Sequence, residues 1–178
     1  GDREIFFANN IVFPEAMVHE RKKSPVEESA VFLSDIHYGS RFFMEEGFLK
    51  FIDYLNGKHG NSSESEKIKY LFMVGDLVSG IGVYPGQKKD LKLEDLEAQF
   101  QGLAELLSKI RRGIKIIISP GNHDGVRLME PQPILDEKYA WPLYNMKNII
   151  LTGNPSYVNI AARKNFSGFD VLTYHGFS

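Results

Sequence analysis

The sequence predicts an α/β domain, and two observations carry that prediction. Short, continuous apolar runs alternate along the chain with segments whose apolar residues recur at helical spacing. Clusters of Asp, His and Asn stand directly after those runs, where an α/β sheet assembles its sites. Continuous apolar strands also imply a sheet covered on both faces.

The elements follow in order. Residues 1–29 join an apolar patch, IFFANNIVFP, to a charged run, HERKKSPVEES, and read as an incoming strand and linker from a preceding domain. Residues 30–178 form the domain proper. AVFLS (30–34) is a first buried strand. Phe48, Phe51, Ile52 and Leu55 make the stripe of a first helix. GKHGNSSESEK (57–67) is a polar loop and YLFMV (70–74) a second strand. A glycine-rich loop, 80–90, leads to the clearest helix, roughly 93–112, with Leu93, Leu96, Phe100, Leu103, Leu107 and Ile110 on one face. Arg111 and Arg112 would complement its dipole and Gly113 would stop it. IKIIIS (114–119), NIIL (148–151) and VLTY (171–174) complete the strands.

Composition excludes several classes. The chain has 178 residues, 43% of them hydrophobic and 25% charged, which suits one globular domain with a core. With 21 basic and 23 acidic residues the net charge is −2, unlike a free-standing nucleic-acid coat protein. Bound metal ions would still let such a surface act on phosphates. There is no cysteine, which removes disulfides, zinc–thiolate sites and thiol nucleophiles. No apolar run approaches a membrane span. The chain opens on Gly1 without a signal-peptide pattern, as expected of a fragment.

Four polar clusters carry the chemistry: Asp35 and His37, then Asp76, then Asn122-His123-Asp124, then His175. Oxygen and imidazole donors without sulfur suit Mn, Fe or Zn in a hydrolytic site. Taken singly, each cluster has an ordinary reading as a chance pair, a turn or a satisfied histidine. Together, each behind a strand, they converge. His19 and His59 lie in polar linkers and read as solvated.

With these motifs in hand, the sequence resembles the calcineurin-like metallophosphoesterase superfamily, whose order is D-x-H, G-D, G-N-H-D/E, a later His and a final G-H-x-H. DIH, GD, GNHD and YHG match the first four elements across residues 35–175. GDLVSGIGVYPGQ, EPQP, NPSYV and NNIVFPE further resemble the small subunits of archaeal family D DNA polymerases. The resemblance implies a two-sheet sandwich flanked by helices, holding two divalent metals, Mn²⁺ first among them. It implies a 3′→5′ exonuclease that proofreads for a large catalytic polymerase subunit, acting on single-stranded or mismatched DNA 3′ ends in the archaeal cytoplasm. Asp35, His37 and Asp76 would hold one metal, and Asp76, Asn122 and His175 the other. His123 would be the catalytic histidine rather than a ligand, with Asp124 behind it orienting its ring. The final G-H-x-H is absent from the chain, so one further His for each metal is expected to lie beyond it.

Substrate contacts are expected from Tyr38, Arg41 and Arg127. Tyr38 either stacks on a base or packs against its loop; Arg127 either touches a phosphate or makes a surface ion pair. Three other readings compete. A Ser/Thr phosphatase would need G-D-x-x-D-R-G, but Ser79 replaces the second Asp and Gly80 or Ile81 stands where the Arg belongs. A repair nuclease of the double-strand-break type shares the motifs more closely, but GVYPGQ and EPQP do not suggest it. A catalytically silent polymerase scaffold is the non-enzymatic alternative, and the intact set of candidate ligands argues against it.

Overall fold

The computed structural model describes residues 10–12, 21–60 and 62–176. Most of the expected incoming strand at 5–14 lies outside the described residues. Four strands, β1 (Ser29–Leu33), β2 (Ile68–Val74), β3 (Lys115–Ser119) and β4 (Ile149–Leu151), form a parallel sheet in sequential order. β5 (Ser156–Ile160) and β6 (Phe169–Thr173) form a separate antiparallel hairpin. The helices are α1 (Glu45–Leu55), α2 (Ser62–Lys67), α3 (Leu96–Leu107) and α4 (Glu137–Tyr144).

Sequential strand order has a geometric consequence. Right-handed crossovers, all turning the same way, put their helices on one face of the sheet. Strand alternation then divides the core. Leu71, Met73, Ile116 and Ile118 point into the cluster shared with Phe100, Leu103 and Leu107 of α3 and Leu143 of α4. Phe32, Phe72, Ile117 and Ile150 are successive register partners across the sheet and belong to its other face. There Phe72 is fully buried and stacks on Phe32 with ring centroids 4.5 Å apart. Phe32, Ile150 and Leu172 remain exposed. The expectation that both faces are covered therefore holds for the central strands and fails at β1 and β4. A continuous apolar run does not say how far its neighbours reach.

Other boundaries also shift. Asp95 caps α3, its Oδ1 accepting from Ala98 N, so Leu93 precedes the helix. The helix closes at Leu107, before the expected 112. Arg111 consequently serves a different purpose from a dipole partner. Its guanidinium donates to the carbonyls of Leu55, Ser65 and Ile68, tying α1 and α2 to the start of β2. The expected loop at 57–67 contains α2, and the sequence reading missed both α4 and β5.

Candidate metal centre

The loops leaving β1 and β2 continue to pair after the strands end. Asp35 N donates to Gly75 O (3.1 Å), His37 N to Asp76 O (3.0 Å) and Tyr38 N to Leu77 O (3.0 Å). Gly75 N donates in turn to Ser119 O at the end of β3. This pairing brings the candidate ligands together at one edge. It also forces Asp35, His37 and Asp76 into left-handed backbone, with φ of 57°, 49° and 52°. Among the described residues only Ala161 shares that conformation without being glycine. Such strain costs on the order of 1–3 kcal/mol per residue and persists where the surroundings over-determine it.

Asp76 is the hub. Its carboxylate is almost fully buried and faces three imidazoles: His37 Nε2 and His123 Nε2 lie 3.7 and 3.8 Å from Oδ2, and His175 Nε2 lies 3.3 Å from Oδ1. Asp35 Oδ1 is 3.9 Å from His37 Nε2, and Ser34 Oγ donates to the other Asp35 oxygen. The donor atoms of His37, Asp76 and His123, and those of Asp35, Asp76 and His175, each converge within 4.8 Å. His123 thus stands in the same cluster as His37, while Asp35 groups with His175. Asn122 is half-buried on the same turn.

The donor set fits divalent metal ions on a further ground. His123 Nδ1 bonds Ser79 O at 2.7 Å and His175 Nδ1 bonds Val74 O at 2.8 Å. A carbonyl can only accept, so each Nδ1 carries the proton and each Nε2 presents a lone pair to the cluster. For His175, an expected ligand, this is how metal-binding histidines are usually oriented; for His123 it leaves Nε2 facing the cluster, free to take up and give a proton. Burial lowers the His37 pKa, with His123 and His175 adding to the effect, against the opposing pull of Asp76 and Asp35. Glycine makes room: a Cβ on Gly121 would lie 2.3 Å from Asp76 Oδ1, and one on Gly75 2.3 Å from His175 Cγ.

Asp124 is not where the resemblance put it. Its Oδ1 accepts from Val78 N (3.0 Å) and its Oδ2 from Gly121 N (2.8 Å). The His123 ring is oriented by Ser79 O instead. Asp124 therefore braces the loop after β2 against the loop after β3. Burial pushes its carboxyl up to about 7, and the backbone donors pull against that rise.

The structure places the three residues expected to touch substrate as follows. Tyr38 turns inward, its ring edge-on to Phe43 at 5.1 Å and its hydroxyl lying over Gly102 of α3, and it remains half-buried. Arg41 donates from Nε to Leu91 O. Arg127 donates from Nε and Nη2 to Pro131 O, and among the described residues it has no carboxylate partner. The aromatic beside the cluster is Tyr84, whose ring centroid lies 6.3 Å from that of His123.

Two positioning residues went unrecognised although their motifs were visible. His175 N donates to Asn154 Oδ1 (3.0 Å), and Asn154 Nδ2 donates to Gln132 Oε1 (2.8 Å). Both side chains are buried, and their backbones pair through Gln132 N→Asn154 O and Asn154 N→Gln132 O. EPQP and NPSYV are thus two halves of one support under His175.

The calcineurin-like phosphoesterase profile matches residues 29–178. The chain belongs to the calcineurin-like phosphoesterase family. It is 44% identical over 98% of its length to the DNA polymerase II small subunit of Pyrococcus horikoshii, covering 28% of that protein. It is 45% identical over 96% of its length to the protein of that name from Methanocaldococcus jannaschii, covering 28% of it. The corresponding figures for the Archaeoglobus fulgidus protein are 42%, 96% and 34%. The chain therefore spans about a third or less of these relatives. Its fold is that of the phosphoesterase family: a parallel sheet, a second sheet and flanking helices. No described helix is long and apolar enough to cross a membrane.

Proposed function

We propose that this chain is the hydrolytic domain of an archaeal DNA polymerase small subunit, and that it cleaves DNA phosphodiester bonds as a metal-dependent 3′→5′ exonuclease. The observation that carries this reading is the Asp76 carboxylate set among three imidazole Nε2 atoms at 3.3–3.8 Å. The likeness to DNA polymerase II small subunits supports the substrate class and a large catalytic subunit as partner.

Asp35, His37, Asp76, Asn122 and His175 would hold two divalent ions, Mn²⁺ being the first choice. Bound there, such ions supply Lewis acidity toward a phosphodiester oxygen and lower the pKa of a water. His123 is the proton donor. Its Nδ1 proton is fixed on Ser79 O, so a second proton at Nε2 points into the cluster and can pass to a departing 3′-oxygen. Asp76 holds the turn that carries this ring: the backbone N–H of His123 donates to Asp76 Oδ1 at 3.0 Å.

The test is hydrolysis of single-stranded DNA by the full-length protein with Mn²⁺. Asp76→Asn is expected to abolish metal binding and cleavage. His123→Ala is expected to keep metal binding and lower kcat by about 10²–10⁴-fold. Undiminished cleavage by His123→Ala would remove that role. A wild-type protein that binds no metal and cleaves nothing would leave the scaffold reading in its place.

A further inference from the structure

Beside the cluster lies a cleft of about 750 Å³, and Asp35, His37 and His123 form part of its wall. That size suits a small-molecule fragment. The remaining lining is mostly apolar and aromatic. Phe43, Phe48 and Phe51 line its inner side, while Phe42 and Met44 are 76% and 77% exposed. Tyr84 stands at the end nearest His123.

The charge of the lining selects the occupant. Among the described residues no Lys or Arg lines the cleft, and its two carboxylates are Asp35 and Asp90. Phosphate oxygens would be repelled there, so a bound phosphodiester must keep its phosphate at the metal cluster. What the cleft can take is the neutral, flat part attached to that phosphate. Large side chains left in water at such a place have a contact to make.

The Tyr84 wall is anchored. Tyr84 Oη donates to Asp90 Oδ2 at 2.9 Å. Gln87, buried, accepts from Val83 N and donates to Ser79 O, the same carbonyl that orients His123. The aromatic wall and the proposed proton donor are thus set by one loop, which fixes their relative position.

We propose that this cleft is the subsite for the terminal nucleobase of a single-stranded DNA end, with Phe42, Met44 and Tyr84 supplying the contact faces. The proposal rests on the phosphodiesterase reading and adds a selection rule to it. A terminal base in a duplex is paired and stacked on its inner neighbour, so only one that has left its pair and its stack can enter a walled cleft. Preference for unpaired ends then follows from the shape of the site, without any group reading base identity.

The test uses the full-length protein and two oligonucleotides, one ending in an ordinary nucleotide and one in an abasic nucleotide. Phe42→Ala and Met44→Ala are expected to raise KM for the ordinary end about tenfold, with kcat within about twofold, and to leave the abasic end unchanged. A terminal 2-aminopurine is expected to lose fluorescence on binding to the metal-loaded His123→Ala protein, and to lose less when Phe42→Ala is added. Unchanged KM, an equal loss on the abasic end, or no quenching would overturn the subsite; any of these is expected if a protein segment fills the cleft. Because quenching needs no hydrolysis, it reads the subsite even where cleavage is absent. Cleavage of the abasic end without quenching would leave the phosphodiesterase reading intact.

Discussion

Gly121→Ala tests whether the cluster is as tightly built as its geometry implies. The added Cβ would stand 2.3 Å from Asp76 Oδ1, 2.4 Å from Asp76 N and 2.8 Å from His175 Cδ2. Non-bonded carbon contacts relax at about 3.5–4.0 Å, so the overlap is about 1 Å. A side-chain tip could swing away, but Asp76 N is backbone. That backbone is already left-handed at φ 52° and its carbonyl accepts from His37 N, so retreat is costly. Overpacking of this kind costs about 1–3 kcal/mol of stability. The effect on metal binding is larger, because ligand distances tolerate only about 0.2 Å and Asp76 serves both halves of the cluster. Outer-shell changes alone cost about 10–100-fold in affinity, so a displaced shared ligand is expected to cost at least about 100-fold. Mn²⁺ titration followed by electron paramagnetic resonance, beside a denaturant melt, measures both effects. Gly113→Ala is the control: its Cβ would meet nothing nearer than Arg111 Nη1 at 3.5 Å, and it should stay within about 0.5 kcal/mol of wild type. A Gly121→Ala protein with wild-type Mn²⁺ affinity would refute the reasoning.

Four further outcomes are expected. His37 has its folded pKa below the ordinary 6.5, so the unfolded chain takes its proton first; stability from His37 is present above pH 6.5 and lost as pH falls through the folded pKa. Denaturation midpoints of metal-free protein should therefore fall on acidification, and His37→Gln should flatten that slope. Asp124→Ala orphans the buried Val78 and Gly121 N–H groups and should cost about 2–4 kcal/mol; wild-type stability with lost hydrolysis would instead put Asp124 on the reaction. Asn154→Ala should lower Mn²⁺ affinity about tenfold by freeing the His175 backbone, and Asn154→Asp, which keeps the acceptor, should recover part of it. Mn²⁺ at about 100 times its Kd should stabilise wild type by about 2.7 kcal/mol, and chelation or Asp76→Asn should remove that gain.

What was legible in the sequence follows from how local each signal is. β1, β2 and β3 are continuous apolar runs, and each ends in a polar cluster, so both the strands and their site-bearing ends could be read directly. β5 could not, because SYVNI alternates between half-buried and exposed positions in a hairpin and carries two polar residues in five. α4 was hidden by Pro142 inside it, although Asp136 at its N-cap, accepting from Lys138 N, and Glu137 in its first turn were readable start signals. Tyr38 illustrates a different limit. Its inward packing depends on Gly102, a distant residue whose missing side chain leaves space for the phenol.

Asp124 and His123 show how adjacency misleads. Neighbours on a tight turn point apart, so the Asp124 carboxylate reaches Val78 N while His123 takes its orientation from Ser79 O. Both partners lie on the single loop after β2, so the turn after β3 is pinned to that loop from two directions. The same loop holds Asp76 and Tyr84, and its backbone carries the pairing that turns Asp35 and His37 toward the cluster. None of Asp35, His37 or Asp76 has the side chain that a left-handed backbone favours most, which is none at all. That cost appears at three candidate ligands, where strand pairing, a shared carboxylate and fixed imidazoles all hold the chain. It is the pattern expected when a ligand position, rather than the local preference of the chain, decides the conformation.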